Sequence, residues 1–202
     1  MYKQDVTAIE AHVSTGPRAL MDVIEFVLCT IQAGLSTVRL QRDDIATQGL
    51  TSRFLWGKKA EGLAYAYDNA EPLWTKLLQL KEGGRADPEN IAEATLLLMD
   101  VPNLGMVKAS FVLQCIGFDT ACIDSHNLKR LGLKESAVKV NPKLSAQTKK
   151  VKVLDYVKLC QQRGTEYWWD SWCKYVAGNR ANRYLTSAEA VSAYHVDCIL
   201  MR

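Results

Sequence analysis

The apolar residues of this chain recur at helical spacing along almost its whole length, and this pattern constrains the fold more than any other feature. Leu20, Ile24 and Val27, for example, lie three and four positions apart and share one helix face. Stretches with the two-residue alternation of a half-buried strand are almost absent. The sequence therefore predicts an all-α fold.

Proline, glycine and capping residues set the expected helix boundaries. A proline in the first turn favours a helix start, and a glycine past the last turn favours its end. These signals predict about ten short helices. They cover residues 6–13, Pro17 to Gly34, 58–68, Pro72 to Gly83, a helix from Pro88, 105–117, 124–131, 147–162 and 165–177, and one that begins at the capping box Thr186–Glu189. Residues 35–57 are expected to form a short helix and a loop, and residues 133–146 a polar loop.

Size and composition are those of an ordinary globular protein. The chain has 202 residues, of which 48% are hydrophobic and 23% charged, and these values exclude a disordered or collagen-like chain. A typical domain has roughly 150 residues, so we expect one domain or two closely packed lobes with a core of their own. The formal net charge of +3 is too small to indicate a nucleic-acid partner by itself.

The six cysteines indicate buried thiols in a reducing compartment. They contain no C-x-x-C pair, and their spacing matches no compact zinc or iron–sulfur site, so no metal or other cofactor is expected. The N-terminal segment includes Asp5 and Glu10 and lacks the apolar centre of a signal peptide, and no apolar run reaches the ~20 residues of a membrane span. We therefore expect a monomer in the cytoplasm, or in the host cytoplasm if the source is viral, that is not secreted and has no membrane partner.

The segment over residues 96–133 carries the most specific pattern. It contains a helix, the turn Pro102-Asn-Leu-Gly105 and a second helix. Pro102 ends the first helix, Asn103 tolerates a left-handed backbone, and Gly105 permits the close approach of another group. The backbone N–H groups at the start of the second helix would then form an anion site that suits a DNA phosphate. The alternative is an ordinary αα-hairpin packed within a helical bundle.

Three short motifs in this segment resemble those of the helix-hairpin-helix DNA glycosylase superfamily, which includes endonuclease III and the 8-oxoguanine glycosylases. Val101-Pro-Asn-Leu-Gly105 is similar to the family's Leu-Pro-Gly-Val-Gly hairpin, and Ala109 matches the alanine of the following helix. Ile123-Asp124-Ser-His126 is similar to its Val-Asp-x-His motif, and Arg130 falls where a basic residue is common. The similarity covers about 35 residues and is only architectural elsewhere.

The resemblance implies a two-lobed helical fold over residues 1–202, in which the hairpin and an aspartate line a cleft that takes an extruded nucleotide. Asp124 would be the essential carboxylate, which stabilises the sugar cation formed as the N-glycosidic bond breaks or activates the attacking water. The alternative from the residues alone is that Asp124 caps its helix, and the two roles are compatible. His126 would orient Asp124, bind a phosphate or simply pack.

Two departures from the family pattern bear on the activity. Members that also cleave the DNA backbone carry a Schiff-base lysine two residues after the second hairpin glycine, where this chain has Val107. Lys108 lies one residue further along, and one helical step rotates a side chain by about 100°. Lys108 is therefore expected to hold a phosphate rather than face the sugar, unless the hairpin is shifted. Asn103 replaces the first hairpin glycine, and the family's four-cysteine iron–sulfur loop is absent.

Basic residues are concentrated after the hairpin. Residues 129–158 hold nine basic and two acidic side chains, along the path expected for a DNA backbone. A solvated helix face is the alternative. Within the helix over 147–162, the residues expected to face inward are Val151, Leu154, Val157 and Leu159. The expected DNA contacts are Pro102, Asn103, Leu104, Gly105, Val107, Lys108, His126, Lys129, Arg130, Lys149 and Lys150.

A flipped base also needs an aromatic wall to stack against. The tract over residues 167–172, with three tryptophans, or Trp56 in its loop could supply this wall. We predict Trp56 and Trp169 as the stacking residues. The alternative is that these rings form a core ridge, since Trp168 and Trp172 share one helix face.

Together these patterns predict an enzyme that binds double-stranded DNA and excises a modified or damaged base through Asp124. We expect a monofunctional DNA glycosylase, with Lys108 as an additional candidate catalytic residue. The small size and the departures suggest a divergent member of the family, such as one encoded by a phage. Two alternatives stay open: a phage thymine-hypermodification enzyme of glycosylase-like fold, and a non-catalytic helix-hairpin-helix protein that only binds DNA.

Overall fold

The computed structural model, which describes residues 2–179 and 184–200, contains only helices and the loops that join them within those ranges. This confirms the predicted all-α fold, whereas the division into two lobes and the single domain over residues 1–202 stay predictions. The α-helices are α1 (Tyr2–Val13), α2 (Pro17–Cys29), α3 (Val38–Gln48), α4 (Lys59–Asp68), α5 (Ala70–Glu82), α6 (Pro88–Met99), α7 (Met106–Cys115), α8 (Ser125–Leu131), α9 (Ala146–Gln161), α10 (Thr165–Ala177) and α11 (Ala188–Leu200). Short 3₁₀ helices cover Leu35–Thr37, Gly49–Thr51 and Glu135–Ala137.

Helix starts follow the proline and capping signals closely. Asp87 caps α6, since its Oδ1 accepts a hydrogen bond from the backbone N–H of Glu89 at 2.7 Å, and Pro88 follows as the first helical residue. α5 begins at Ala70, two residues before Pro72. A proline is tolerated there because the first N–H groups of a helix have no partner within the helix.

Two details of the sequence prediction are wrong. The cap of α11 is Ser187, whose hydroxyl accepts a hydrogen bond from the N–H of Ala190 at 3.1 Å, and not Thr186. Val151 does not face inward, because it is 47% exposed while Val153 is fully buried. The buried face of α9 is therefore rotated away from the predicted one.

α2 lies at the centre of the core. Its residues from Ala19 to Cys29 are all buried, and α1, α3, α4, α5, α7 and α11 pack around it. A helix that is surrounded in this way needs apolar residues on every side, and the buried residues of α2 are apolar except for Asp22 and Glu25. No helix within the described ranges is long and apolar enough to cross a membrane.

The two carboxylates of α2 meet buried partners. Arg42 of α3 is 4% exposed, its Nε donates to Oε1 of Glu25 at 3.0 Å, and its Nη2 lies 3.4 Å from Oδ1 of Asp22. His12 Nε2 lies 3.0 Å from the other oxygen of Asp22, and the Tyr67 hydroxyl donates to Glu25 at 3.4 Å. This network joins α1, α2, α3 and α4 through polar groups that have little contact with water.

Candidate functional site

The turn between α6 and α7 is a tight helical hairpin. The N–H of Leu104 donates to the Val101 carbonyl at 3.0 Å. Asn103 has a φ of +72°, which confirms the left-handed backbone predicted there. α7 begins at Met106 after Gly105, an N-cap residue that supplies no side-chain hydrogen bond. The first N–H groups of α7 are therefore left to water or a ligand.

The four turn residues differ in exposure. Asn103 and Gly105 are exposed, Pro102 is half-buried, and Leu104 is 2% exposed and belongs to the core. Any DNA contact by Leu104 is therefore limited to its backbone.

The close approach predicted at Gly105 is found at another glycine. A Cβ atom at Gly105 would have no heavy atom within 4 Å, so the space in front of it is open on the protein side. At Gly62 of α4, by contrast, a Cβ would lie 2.2 Å from the carbonyl oxygen of Pro102. Helix α4 therefore packs directly on the backbone of the hairpin turn.

Asp124 caps α8 with one carboxylate oxygen. Its Oδ1 accepts hydrogen bonds from the backbone N–H groups of His126 at 3.1 Å and Asn127 at 3.0 Å. Its Oδ2 accepts no hydrogen bond from any residue that the structure describes. The cap interpretation is confirmed, and it fixes the orientation of a carboxylate that keeps one oxygen for a ligand.

Asp124 also lines a cleft beside the hairpin, which we call the hairpin cleft. Its volume is about 590 Å³, which lies within the range of small-ligand pockets. The cleft is bounded by the end of α2, by α7, by the start of α8, by the segment after α8 and by α10. The lining residues that matter here are Thr30, Lys108, Asp124, His126, Trp172 and Tyr175.

Lys108 lines the hairpin cleft, as does Val107, which occupies the position of the family's lysine, so the role predicted for Lys108 stays a prediction. Its Nζ donates to the Thr30 hydroxyl at 3.1 Å and lies 5.4 Å from the centre of the Phe111 ring. This hydrogen bond joins α7 to Thr30, the residue that follows the last turn of α2. Because Thr30 takes one N–H of the ammonium, two others have no hydrogen-bond partner among the described residues.

The aromatic wall of the hairpin cleft consists of residues other than those predicted. The His126 ring stacks on Tyr175 with centroids 4.1 Å apart and planes inclined by 26°, and Trp172 lines the same cleft. Tyr175 is 42% exposed, so the stacked pair is accessible to a ligand.

The predicted stacking residues lie elsewhere. Trp169 is 3% exposed, and its Nε1 donates to the Ser192 hydroxyl at 3.0 Å, so the prediction for Trp169 is wrong and the core-ridge alternative holds. Trp56 is 49% exposed but does not line the hairpin cleft. Its ring centre lies 4.7 Å from the Nζ of Lys59, a buried amine without a hydrogen-bond partner in the described part of the chain. Burial lowers the pKa of Lys59.

A second groove, of about 780 Å³, adjoins the hairpin cleft. The two share Val107, Lys108, Glu135, Val138 and Lys139. Lys139 and Lys152, which line the groove, belong to the predicted basic segment, and Lys139 forms an ion pair with Glu135. This groove runs past the N-terminus of α7, because Gly105 lines it as well. Part of the basic segment therefore borders the hairpin, as the sequence predicts.

Other members of the basic segment have partners or point elsewhere. Lys150 Nζ lies 2.7 Å from Oε2 of Glu89, and this ion pair raises the pKa of Lys150. Lys129 is exposed and Lys149 is half-buried, and neither lines the hairpin cleft. The phosphate contacts predicted for these three lysines stay predictions.

The sequence analysis missed the loop after α2. Thr30 and Gln32 of this loop line the hairpin cleft, and Gln32 has a φ of +53°, which residues other than glycine rarely adopt. No local motif distinguishes this loop, because its place beside Lys108 depends on how α2 packs against α7. Tyr175 had a clearer signal, since it continues the aromatic spacing of Trp168 and Trp172 along α10.

A buried histidine lies behind the cleft wall. His195 of α11 is 0% exposed, and neither ring nitrogen has a hydrogen-bond partner within the described ranges. Four aromatic rings surround it with centroids 4.7–5.9 Å away, those of Phe26, Phe111, Trp169 and Trp172. Burial, with a smaller contribution from the positive charge of Lys108, lowers the pKa of His195 to about 3. His195 is therefore neutral at physiological pH.

The structure brings four of the predicted site residues together and separates others from them. Val107, Lys108, Asp124 and His126 line one cleft, whereas Trp56 and Trp169 do not. The cleft combines a carboxylate, an amine and a stacked aromatic pair beside the N-terminus of α7, which has no side-chain cap. Comparison with known proteins found no protein-family model, curated protein or solved structure that matches this chain.

Proposed function

We propose that the protein is a DNA base-processing enzyme, a glycosylase that extrudes a modified or damaged base from the duplex and excises it with Asp124. The observation that carries this proposal is the meeting of Asp124 and Lys108, sixteen residues apart in the chain, in one cleft beside the α6–α7 hairpin. A volume of about 590 Å³ accommodates a nucleobase with its sugar.

Each wall of the hairpin cleft has a place in this chemistry. The glycosidic bond is out of reach inside the base stack, so the nucleotide must rotate out of the duplex. The His126–Tyr175 pair would stack on the extruded base, and the N–H groups at the start of α7 would hold a backbone phosphate. The unpaired Oδ2 of Asp124 would stabilise the developing sugar cation or accept a proton from the attacking water.

The substitution Asp124→Asn is expected to slow base release by at least about 100-fold. Asparagine caps a helix as well as aspartate does, so α8 is retained, but a neutral amide neither balances a sugar cation nor takes a proton. The measurement is single-turnover base release from duplexes that carry 8-oxoguanine, uracil, alkylated bases or mismatches.

Asp119→Asn is a matched control, because Asp119 is a half-buried aspartate on the same stretch of chain that does not line the hairpin cleft. Base release by this variant is expected to equal that of the wild type. Base release that survives in Asp124→Asn would overturn the mechanism. If neither the wild type nor Asp124→Asn releases or alters a base and both bind DNA, the non-catalytic alternative is correct. Mass analysis of the product nucleosides separates excision from thymine hypermodification, which leaves a heavier base in the strand.

The position of Lys108 favours a second candidate, a glycosylase that also cleaves the backbone. This candidate is supported by the amine of Lys108, which lies in the same cleft as Asp124 and donates a hydrogen bond to Thr30 there. For this candidate, borohydride is expected to trap a covalent adduct between the protein and substrate DNA, and Lys108→Gln is expected to lose it. Base release without any adduct in the wild type would leave the monofunctional activity.

A further inference from the structure

A second cluster of basic side chains lies near the start of α10. The hydroxyl of Tyr167 accepts a hydrogen bond from Nη2 of Arg130 at 3.3 Å and from Nη1 of Arg163 at 2.9 Å. The two guanidinium carbons also lie 5.6 Å and 5.1 Å from the centre of the Tyr167 ring. Two cations therefore converge on one neutral acceptor. We call these three residues the Arg–Tyr cluster.

The positive charge of the Arg–Tyr cluster has no negative partner on the protein. Neither Arg130 nor Arg163 forms an ion pair with a carboxylate anywhere in the described ranges, and the neighbouring Glu166 pairs with Lys3 at 3.4 Å. Two like charges held together repel each other, and a bound anion removes that repulsion. Guanidinium groups match phosphate oxygens in geometry, so phosphate is the anion that the cluster suits best.

Arg130 is held in place by a buried asparagine. Its Nη2 also lies 3.2 Å from Oδ1 of Asn127, which is 4% exposed and whose side-chain amide donates to the Cys122 carbonyl at 3.4 Å. The backbone N–H of Asn127 is one of the two that bind Asp124. The cluster is therefore connected to the same short helix start that orients the candidate catalytic carboxylate, and little ordering is needed when a ligand binds.

The spacing along α10 suits a second contact on the same strand. Tyr167 and Tyr175 are eight residues apart, which corresponds to about 12 Å along the helix axis. Tyr175 stacks on His126 in the hairpin cleft, and Arg130 lies one turn after His126 on α8. The axial rise of a DNA strand is about 3.4 Å per nucleotide, so 12 Å spans about three to four steps.

We propose that the Arg–Tyr cluster is a phosphate-binding site. It holds a backbone phosphate three to four nucleotides along the strand from the nucleotide in the hairpin cleft. The phosphate oxygens accept hydrogen bonds from the N–H groups of both arginines. The Tyr167 hydroxyl accepts a hydrogen bond from each arginine and donates its own hydrogen bond to the phosphate. This assignment rests on the proposed function, because the ligand is a phosphate of the same bound DNA.

The test compares Arg163→Gln with Arg18→Gln. Arg163 is exposed, and its hydrogen bond and ring contact within the described ranges are both with Tyr167, so its loss leaves the core intact. Arg18 is a matched control, an exposed arginine whose guanidinium lies 5.0 Å from the centre of the Tyr67 ring, in the first turn of α2 and far from Thr30 at its other end. Affinity for a duplex with an abasic-site analogue is measured by fluorescence anisotropy over roughly 50–200 mM salt.

Arg163→Gln is expected to weaken DNA binding about three- to tenfold. The negative slope of log affinity against log salt is expected to become less steep by about 0.9, while Arg18→Gln matches the wild type. If the wild type binds DNA and the two variants behave alike, the assignment is wrong while the proposed function stands.

A second arm of the test titrates inorganic phosphate and follows the melting temperature of the protein. If the wild type binds no DNA but phosphate stabilises it and not Arg163→Gln, the site is an anion site for free phosphate and the proposed function fails. If neither DNA nor phosphate has an effect, both proposals fail.

Discussion

Replacing Arg42 with methionine is expected to lower the free energy of unfolding by about 3–5 kcal/mol. The substitution keeps much of the volume of the side chain but removes the positive charge that lies 3.0 Å from Glu25 and 3.4 Å from Asp22. Both carboxylates are at least 95% buried, so they would be left in a medium that solvates charge poorly. The loss is therefore much larger than that of an average exposed ion pair.

Arg39→Met is the matched control for this prediction. Arg39 lies one turn earlier on α3, and its ion pair with Asp197 is long, at 3.9 Å, and about half-exposed on both sides. Its loss is expected to change the free energy of unfolding by no more than about 1 kcal/mol. Urea unfolding of the two variants and the wild type at pH 7 gives the comparison. Equal effects at Arg42 and Arg39 would show that the buried network contributes no more than a surface pair.

The acid stability of the protein is expected to depend strongly on His195. Its pKa is lowered to about 3 in the folded state, against 6.5 for an ordinary histidine. Between these two pH values the unfolded chain binds a proton that the folded chain does not. The contribution of His195 to the free energy of unfolding is therefore fully present above pH 6.5 and is lost as the pH decreases. At about 1.4 kcal/mol per pH unit, this single ring accounts for a loss of up to about 5 kcal/mol by pH 3.

His195→Phe is expected to remove this contribution. The new ring joins the four aromatic rings that already surround the position, and two buried nitrogens without partners are lost, so stability at pH 7 is expected to change by no more than about 1.5 kcal/mol. Urea unfolding at pH 7, 5.5 and 4.5 should show the wild type losing about 1.4 kcal/mol per pH unit relative to the variant. His195→Gln separates titration from packing, because it lacks the proton equilibrium but keeps buried polar atoms. If the free energy of unfolding depended on pH in the same way in all three proteins, His195 would not be the source of the acid sensitivity.

Helices that carry their own start and stop signals were predictable from the sequence. Pro17 and the capping Asp87 both act locally, so the starts of α2 and α6 follow from neighbouring residues alone. The buried face of α9 followed only in part, because Val157 is buried as predicted, but the helix carries apolar residues at 151 and 154 as well as at 153 and 160. The choice between those two stripes is made by α6, against which α9 packs.

The residues of the candidate site also differ in how far the sequence alone could predict their positions. Asp124 was predictable because its motif and its capping position are contained in five consecutive residues, 123–127. The orientation of Lys108 was not, since it depends on the Thr30 hydroxyl at the end of a distant helix. Trp169 and Tyr175 both lie on α10. Helix α11 packs over Trp169 and buries it in the core, whereas Tyr175 remains open to the hairpin cleft.

The six buried cysteines offer a practical route to testing in solution whether the protein binds DNA. Burial raises the pKa of Cys122, Cys160 and Cys173 to about 12, so the reactive thiolate is scarce at neutral pH. A single cysteine introduced in place of the exposed Lys129 would therefore react with a maleimide dye well before the native thiols do. The native cysteines can stay in place during such labelling, and a fluorophore beside α8 would report directly on the approach of a nucleic-acid strand.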